Sequence, residues 1–148
     1  MFKVIKNNVH IFLMYLGTLP FIIFMLSIIK NCEYNSIITN SSAESIKLYG
    51  LIISVFMAGI QWGLGLEKLF RYKLFIFNNF ITIILWISYQ IVSNNKFIFI
   101  LLLSFIYYIV ADFKFYNEKI ISKKYLINRI IITIIVMINL FISLINFK

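Results

Sequence analysis

Few side chains in this sequence could do chemistry, and their types limit what that chemistry is. Asp112 directly follows an apolar run from Phe97 to Ala111. An ionisable residue inside a membrane span is a functional-site candidate by default, and a buried carboxyl there could carry a proton. Gln61 and Trp62 stand side by side near the end of another apolar run. Gln61 brings two N–H donors and a carbonyl acceptor. Leaving them unpaired in hydrocarbon is costly, so Gln61 is expected to face other helices. One interhelical hydrogen bond, worth roughly 0.6 to 2 kcal/mol, is the plainest outcome. Trp62 taken alone reads as an interfacial anchor. Together Gln61, Trp62 and Asp112 form the candidate polar cluster, with Lys68, Arg71 and Lys114 as further candidate partners of Asp112. The plainer alternative has Asp112 reaching the aqueous interface and pairing there with a nearby cation.

Other chemistries lack their residues. Cys32 is the single cysteine and His10 the single histidine, so neither an internal disulfide nor a cysteine or histidine metal set can form. The metalloprotease, nucleophile-elbow and phosphate-loop patterns are absent. Gly63-Leu64-Gly65 lacks the strand and third glycine of a dinucleotide site. No catalytic, cofactor-binding or metal-binding residue is therefore assigned, and the expectation is a protein without cofactor that is not an enzyme. Asn40-Ser41-Ser42 matches a glycosylation sequon, a weak three-residue signal.

The elements that would position the cluster are membrane spans. The chain is 62% hydrophobic and 13% charged, against roughly half and a quarter in soluble domains. A spanning helix needs about 20 mostly apolar residues, and the candidates run over about 9–29, 45–66, 74–92, 97–116 and 130–147. The first follows Lys3 and Lys6 as a signal peptide would, but it is too long for one and no cleavage site follows. The fold class is thus an all-α integral membrane bundle of five transmembrane helices, in one membrane domain over residues 1–148. Short connections make successive helices antiparallel neighbours. Pro20 sits within the first span, where its missing N–H predicts a helix kink.

Depth brings Gln61 and Asp112 together. Fifteen residues from Phe97 to Ala111 cover roughly 22 Å, short of a hydrocarbon core of about 30 Å. The helix therefore continues through Tyr116, leaving Asp112 about 6 Å inside its end. Gln61 lies five residues before Leu66, about 7 to 8 Å deep at the same face.

Orientation follows from the cations. With the N-terminus inside, Lys3, Lys6, Lys68, Arg71, Lys73, Lys114, Lys119, Lys123, Lys124 and Arg129 lie inside, and Lys30, Lys47, Lys96 and Lys148 outside. Ten against four of the 14 predicts N-in, C-out. The net charge of +9 follows this pattern rather than a nucleic-acid surface. Lys114 to Arg129 reads as an inner-face loop or short interfacial helix attracted to anionic lipid.

In the second span Gly50, Ser54 and Ala58 recur every four residues, with Gly59 and Gly63 on an adjacent strip. Such spacing lets helix backbones approach closely. Helix packing within one chain accounts for it, and a homo-oligomer or membrane-protein partner interface is the alternative.

The same residues carry a resemblance. Tyr49-Gly50-Leu51-Ile52-Ile53-Ser54-Val55-Phe56-Met57-Ala58-Gly59-Ile60-Gln61-Trp62-Gly63 is similar to the signature of domain-of-unknown-function family 3429, the transmembrane protein 69-like proteins. That signature is roughly Tyr-Gly, a small residue, then Gly-Gly-Ile-His-Trp-Gly. Leu16-Gly17-Thr18-Leu19-Pro20-Phe21 resembles the family's Gly-x-x-Pro-Phe element, and Tyr108-Ile109-Val110-Ala111-Asp112 its Tyr-x-x-x-Asp ending. Ala58 replaces the usual Gly, and Gln61 the usual His. The second change exchanges a titratable ring for a neutral amide and favours hydrogen bonding over proton transfer or metal ligation. The resemblance implies a five-span protein of bacterial inner membranes, or of the mitochondrial inner membrane in a eukaryote, and implies no activity. The functional expectation is an accessory or scaffold protein acting through helix packing and the polar cluster. The alternative is a small transporter or permease-like subunit for protons or a polar solute.

Overall fold

The computed structural model describes Val9 and residues 11–30, 41–66 and 72–146. The readings placed on Lys3, Lys6, His10, Cys32, Asn40, Lys68, Arg71 and Lys148 lie outside the described residues. Within them, five helices are long and apolar enough to cross a membrane: α1 (Ile11–Lys30), α2 (Ser42–Leu66), α3 (Tyr72–Ile91), α4 (Asn94–Asn117) and α5 (Lys123–Asn146). Among the described residues there is no strand. The chain is a multi-pass membrane protein.

The helices close a ring in chain order, α1 against α2 and round to α5 against α1, with α2 and α4 also in contact across its centre. Lipid offers no hydrophobic drive to pair helices, so close approach and hydrogen bonds decide which faces meet. On α2 the inward face is Gly50, Ser54, Ala58, Gln61 and Gly65, and on α4 it is Leu101, Ser104, Tyr108, Asp112 and Phe115. Both sets follow the three-and-four spacing of one helix face. Gly50 admits Leu101, and one turn on Ser54 Oγ lies 3.2 Å from Ser104 Oγ and donates to the Tyr108 hydroxyl at 3.3 Å. α3 joins through Asn78, which is fully buried. Its Nδ2 donates to the Ala58 carbonyl at 3.4 Å and its Oδ1 accepts from the Tyr107 hydroxyl at 2.9 Å.

α1 is interrupted at Gly17–Thr18, two residues before Pro20, and resumes as a helix over Leu19–Lys30. Pro20 has no N–H to give the carbonyl four residues back, and its ring crowds that carbonyl. The Gly17 carbonyl at the break accepts from the Tyr49 hydroxyl of α2 at 3.0 Å, which satisfies it within the bundle as membrane helices require.

The turn between α4 and α5 has a defined chemistry. Lys119 takes a left-handed φ of 58°. The Lys119 N–H donates to the Tyr116 carbonyl at 2.9 Å and the Ile120 N–H to that of Phe115 at 3.0 Å, the Schellman closure. Ser122 Oγ then accepts from the Tyr125 N–H at 3.2 Å, capping the start of α5. Since a residue with a Cβ is strained at positive φ, Lys119→Gly is expected to raise stability by roughly 0.5 to 1 kcal/mol, read as a rise in the midpoint of thermal unfolding in detergent.

Three helix starts lie three or more residues ahead of the sequence reading, among them α4 at Asn94 rather than 97. α2 starts at Ser42 rather than near residue 45, because Ser41 Oγ caps the Glu44 N–H at 3.2 Å. Lys47, read as an outer-side cation, is buried within α2. Its Nζ lies 3.8 Å from Glu44 Oε1 and 5.0 and 6.0 Å from the ring centroids of Tyr89 and Phe97. α5 starts at Lys123, seven residues before the expected 130, so most of the predicted basic loop is helix.

Candidate functional site

The last turns of α4, the last turns of α2 and the first turns of α5 meet at one end of the bundle. Asp112 sits there with 2% of its surface exposed, facing Gln61 at 0% and Arg129 at 5%. Asp112 Oδ1 accepts from Gln61 Nε2 at 3.1 Å, and Oδ2 accepts from Arg129 Nε at 3.1 Å. Gln61 Nε2 also donates to the Tyr108 carbonyl at 2.9 Å, one turn before Asp112 on α4. Both neighbours of Nε2 are acceptors, which settles the orientation of the amide.

Helical phase explains how three separate segments deliver these side chains. On α2, Gln61 continues the buried line of Gly50, Ser54 and Ala58. On α4, Asp112 continues Ser104 and Tyr108. On α5, Leu126, Arg129 and Ile132 are buried three residues apart. The second turn of α5 thus presents a guanidinium inward, where it meets a carboxylate of opposite charge. A buried pair needs good geometry and added hydrogen bonds to offset its desolvation, and Gln61 supplies one.

Two buried polar atoms are left over. Gln61 Oε1 and Arg129 Nη2 have no hydrogen-bond partner among the described residues. One is an acceptor and the other a donor, and both belong to side chains that hold Asp112.

The sequence-predicted residues divide. Gln61 and Asp112 come together. Trp62 does not join them: it is 38% exposed, and its ring lies against Phe75 with centroids 5.2 Å apart. Neighbouring residues on a helix point about 100° apart, so burying Gln61 turns Trp62 outward. Lys114, a candidate partner of Asp112, is exposed, and the cation found beside Asp112 is Arg129. Asp112 is enclosed rather than at the aqueous interface. Gly50, Ser54 and Ala58 lie in the interior, whereas Gly59 and Gly63 open outward, with nothing among the described residues within 4 Å of where a Cβ would stand.

Sequence reasoning missed Arg129, Tyr108 and Asn78 as parts of the interior network. Ser122 was the signal for Arg129, because an N-cap there starts a helix that carries Arg129 in phase with Leu126 and Ile132. Lys123 and Lys124 obscured it, since cations are unfavourable at a helix N-terminus.

The arrangement can clamp three helices, with one donor and one acceptor left buried and without a partner among the described residues. Among the described residues there is no group of three His, Cys, Asp or Glu able to hold a metal ion. Neither the curated proteins nor the solved structures give a match to the chain. A family profile does match, over residues 7–145, and its description is a protein of unknown function. Coverage of nearly the whole chain places this protein in the family DUF3429, and five spans agree with it.

Proposed function

We propose that this protein is a non-enzymatic accessory or scaffold protein of a bacterial inner membrane, oriented with its N-terminus in the cytoplasm. In that orientation the Gln61–Asp112–Arg129 cluster lies in the cytoplasmic leaflet. The observation that carries the reading is the closure of that cluster. Both oxygens of Asp112 are held by donors from two other helices, which suits a clamp that shapes the bundle for a partner.

The transporter reading needs a polar route across the bilayer. From Asp112 the hydroxyls of Tyr108, Ser54 and Ser104 lead toward the opposite face. That line then meets Leu101 over Gly50, with Phe21, Phe97 and Ile98 fully buried in the same core. An apolar layer of this kind opposes passage of a proton or polar solute.

The test is native purification in lipid nanodiscs with mass spectrometry of all retained protein, comparing wild type with Gly59→Leu/Gly63→Leu. Among the described residues nothing lies within 4 Å of a Cβ built at either glycine, so the double variant is expected to keep its melting temperature. The wild type is expected to retain a stoichiometric partner, a second copy or another membrane protein, and the variant to lose it. A partner-free wild type that carries protons into liposomes, with the flux lost in Asp112→Asn, would replace this reading by the transporter.

A further inference from the structure

α3 and α4 form the loosest neighbouring pair of the ring, and a groove runs between them. At the end of the bundle that holds Asp112 the groove is a space of about 660 Å³, lined by residues that include Tyr72, Lys73, Phe77, Tyr107, Lys114 and Glu118. Further along the same seam a space of about 200 Å³ is lined by Ile81, Ile84, Leu85, Leu103 and Ser104, and Tyr107 lines both. Lys73 to Ile84 on α3 and Lys114 to Leu103 on α4 are each eleven residues, about 16 Å of helix rise. That is the depth of one leaflet of a hydrocarbon core about 30 Å thick.

The groove changes character along its length. Near the membrane face it carries charge: Lys73, Lys114 and Glu118 line it, and all three are exposed. Deeper in, its walls are mostly aliphatic, and the polar groups there are already bonded within the chain. The Ser104 hydroxyl donates to the Leu101 carbonyl at 2.7 Å, and the Tyr107 hydroxyl to Asn78 Oδ1 at 2.9 Å. Phe77, Ile84 and Leu103 are exposed on the outer surface of the bundle, so the groove opens to lipid along its length. Lysine stems can lie on apolar walls while their ammonium groups reach the headgroup level. Two cations at the face above an apolar slot complement a lipid with an anionic head and a hydrocarbon chain, and basic pockets between membrane helices hold such headgroups.

We propose that this groove binds one anionic phospholipid, with its phosphodiester between Lys73 and Lys114 and one acyl chain laid along Ile84 and Leu103 toward the midplane. Charge sets the selectivity. Two lysines against Glu118 leave one net positive charge, which favours phosphatidylglycerol over phosphatidylcholine by about fivefold. The site depends neither on whether the protein acts as an accessory or a transporter nor on which face is cytoplasmic, so its failure would leave both readings standing.

The test titrates the full-length protein in detergent with phosphatidylglycerol and phosphatidylcholine of identical chains, with bound lipid read by native mass spectrometry. The wild type is expected to bind phosphatidylglycerol about fivefold more tightly. Lys73→Gln or Lys114→Gln should bring the two lipids to parity, and Glu118→Gln should raise the preference to about thirtyfold. These positions are exposed, and an unchanged unfolding midpoint checks that each variant stays folded. Leu103→Trp, on the open side of the groove, should lower the affinity for both lipids by filling the slot. Phosphatidylglycerol with a diazirine midway along one chain should label the peptides that carry Ile84 and Leu103. Equal wild-type affinity for the two lipids, or binding unchanged by Leu103→Trp, would overturn the proposal. So would a loss in Lys123→Gln as large as in Lys73→Gln, since Lys123 is exposed outside the groove and the attraction would then be diffuse. Displacement of the lipid by glycerol phosphate would also overturn it and assign the lysines to a soluble ester without a chain.

Discussion

Arg129→Met is expected to destabilise the folded protein by about 3 to 5 kcal/mol, the usual cost of leaving one member of a buried ion pair alone. The side chains of Arg129 and Asp112 are 7% and 2% exposed, so solvent screens the uncompensated carboxylate very little. Gln61 remains as a donor to Oδ1, and one neutral amide cannot replace a guanidinium. The cost should fall toward the lower end of that range, because a helix unfolded within the bilayer also finds polar partners. Removing both charges gives the opposite expectation. Arg129→Met/Asp112→Leu should lie close to wild type, since a buried pair replaced by apolar residues of similar volume is often neutral or stabilising. A double-mutant cycle on thermal or steric-trap unfolding in bicelles measures the coupling directly. Single variants within about 1 kcal/mol of wild type would show that the pair contributes little and that water reaches Asp112.

Gly50→Leu is expected to cost about 1 to 3 kcal/mol or more, the range for overpacking a filled interior. A Cβ at Gly50 would collide with Leu101 Cδ2 and stand 3.7 Å from Phe21 Cε1. Leu101 and Phe21 are both fully buried, so neither can swing into lipid to make room. The strain acts on the contact between α2 and α4 across the centre of the ring, and helices held by close approach lose dispersion when forced apart. Gly50→Ala should show the same sign with a smaller size. Adding Leu101→Ala to Gly50→Leu should recover most of the loss, since it empties the space the new side chain needs. The readout is the unfolding midpoint in detergent together with the yield of monodisperse protein. A Gly50→Leu variant as stable as wild type would mean that α2 and α4 are separated more widely than this packing shows. Gly59→Leu serves as the control, with the same substitution on the open side of the same helix.

The contrast between Gly50 and Gly59 shows where sequence reading reaches its limit. Both belong to strips of small residues at four-residue spacing, and nothing local separates them. α2 nevertheless turns one strip to α4 and leaves the other open. Trp62 repeats the lesson, since its place beside Gln61 in sequence put it in the cluster and helical rotation took it out. Lys47 does so again at the opposite end of α2. Read as an outer-side cation, it is buried against Tyr89 and Phe97, because the face of α2 that carries it turns toward α3 and α4.

What the sequence by itself determined is the set of quantities that depend on distance along the chain. Five apolar runs of spanning length, the break beside Pro20, and the matching depths of Gln61 and Asp112 follow from the rise of a helix and the thickness of a bilayer. The family follows from the residues of the second and fourth spans. Tertiary structure decided which helix faces meet, and with that the identity of the cation at Asp112. Lys114 is two residues from Asp112 in sequence yet exposed, while Arg129 is seventeen residues away and donates to its carboxylate. Residues two apart on a helix point to different sides, whereas a turn closed by Lys119 and Ile120 folds α5 back along α4. Depth is a property of one helix. Contact is a property of two, and it was set by where Gly50, Ser54 and Gln61 allowed α2 and α4 to approach.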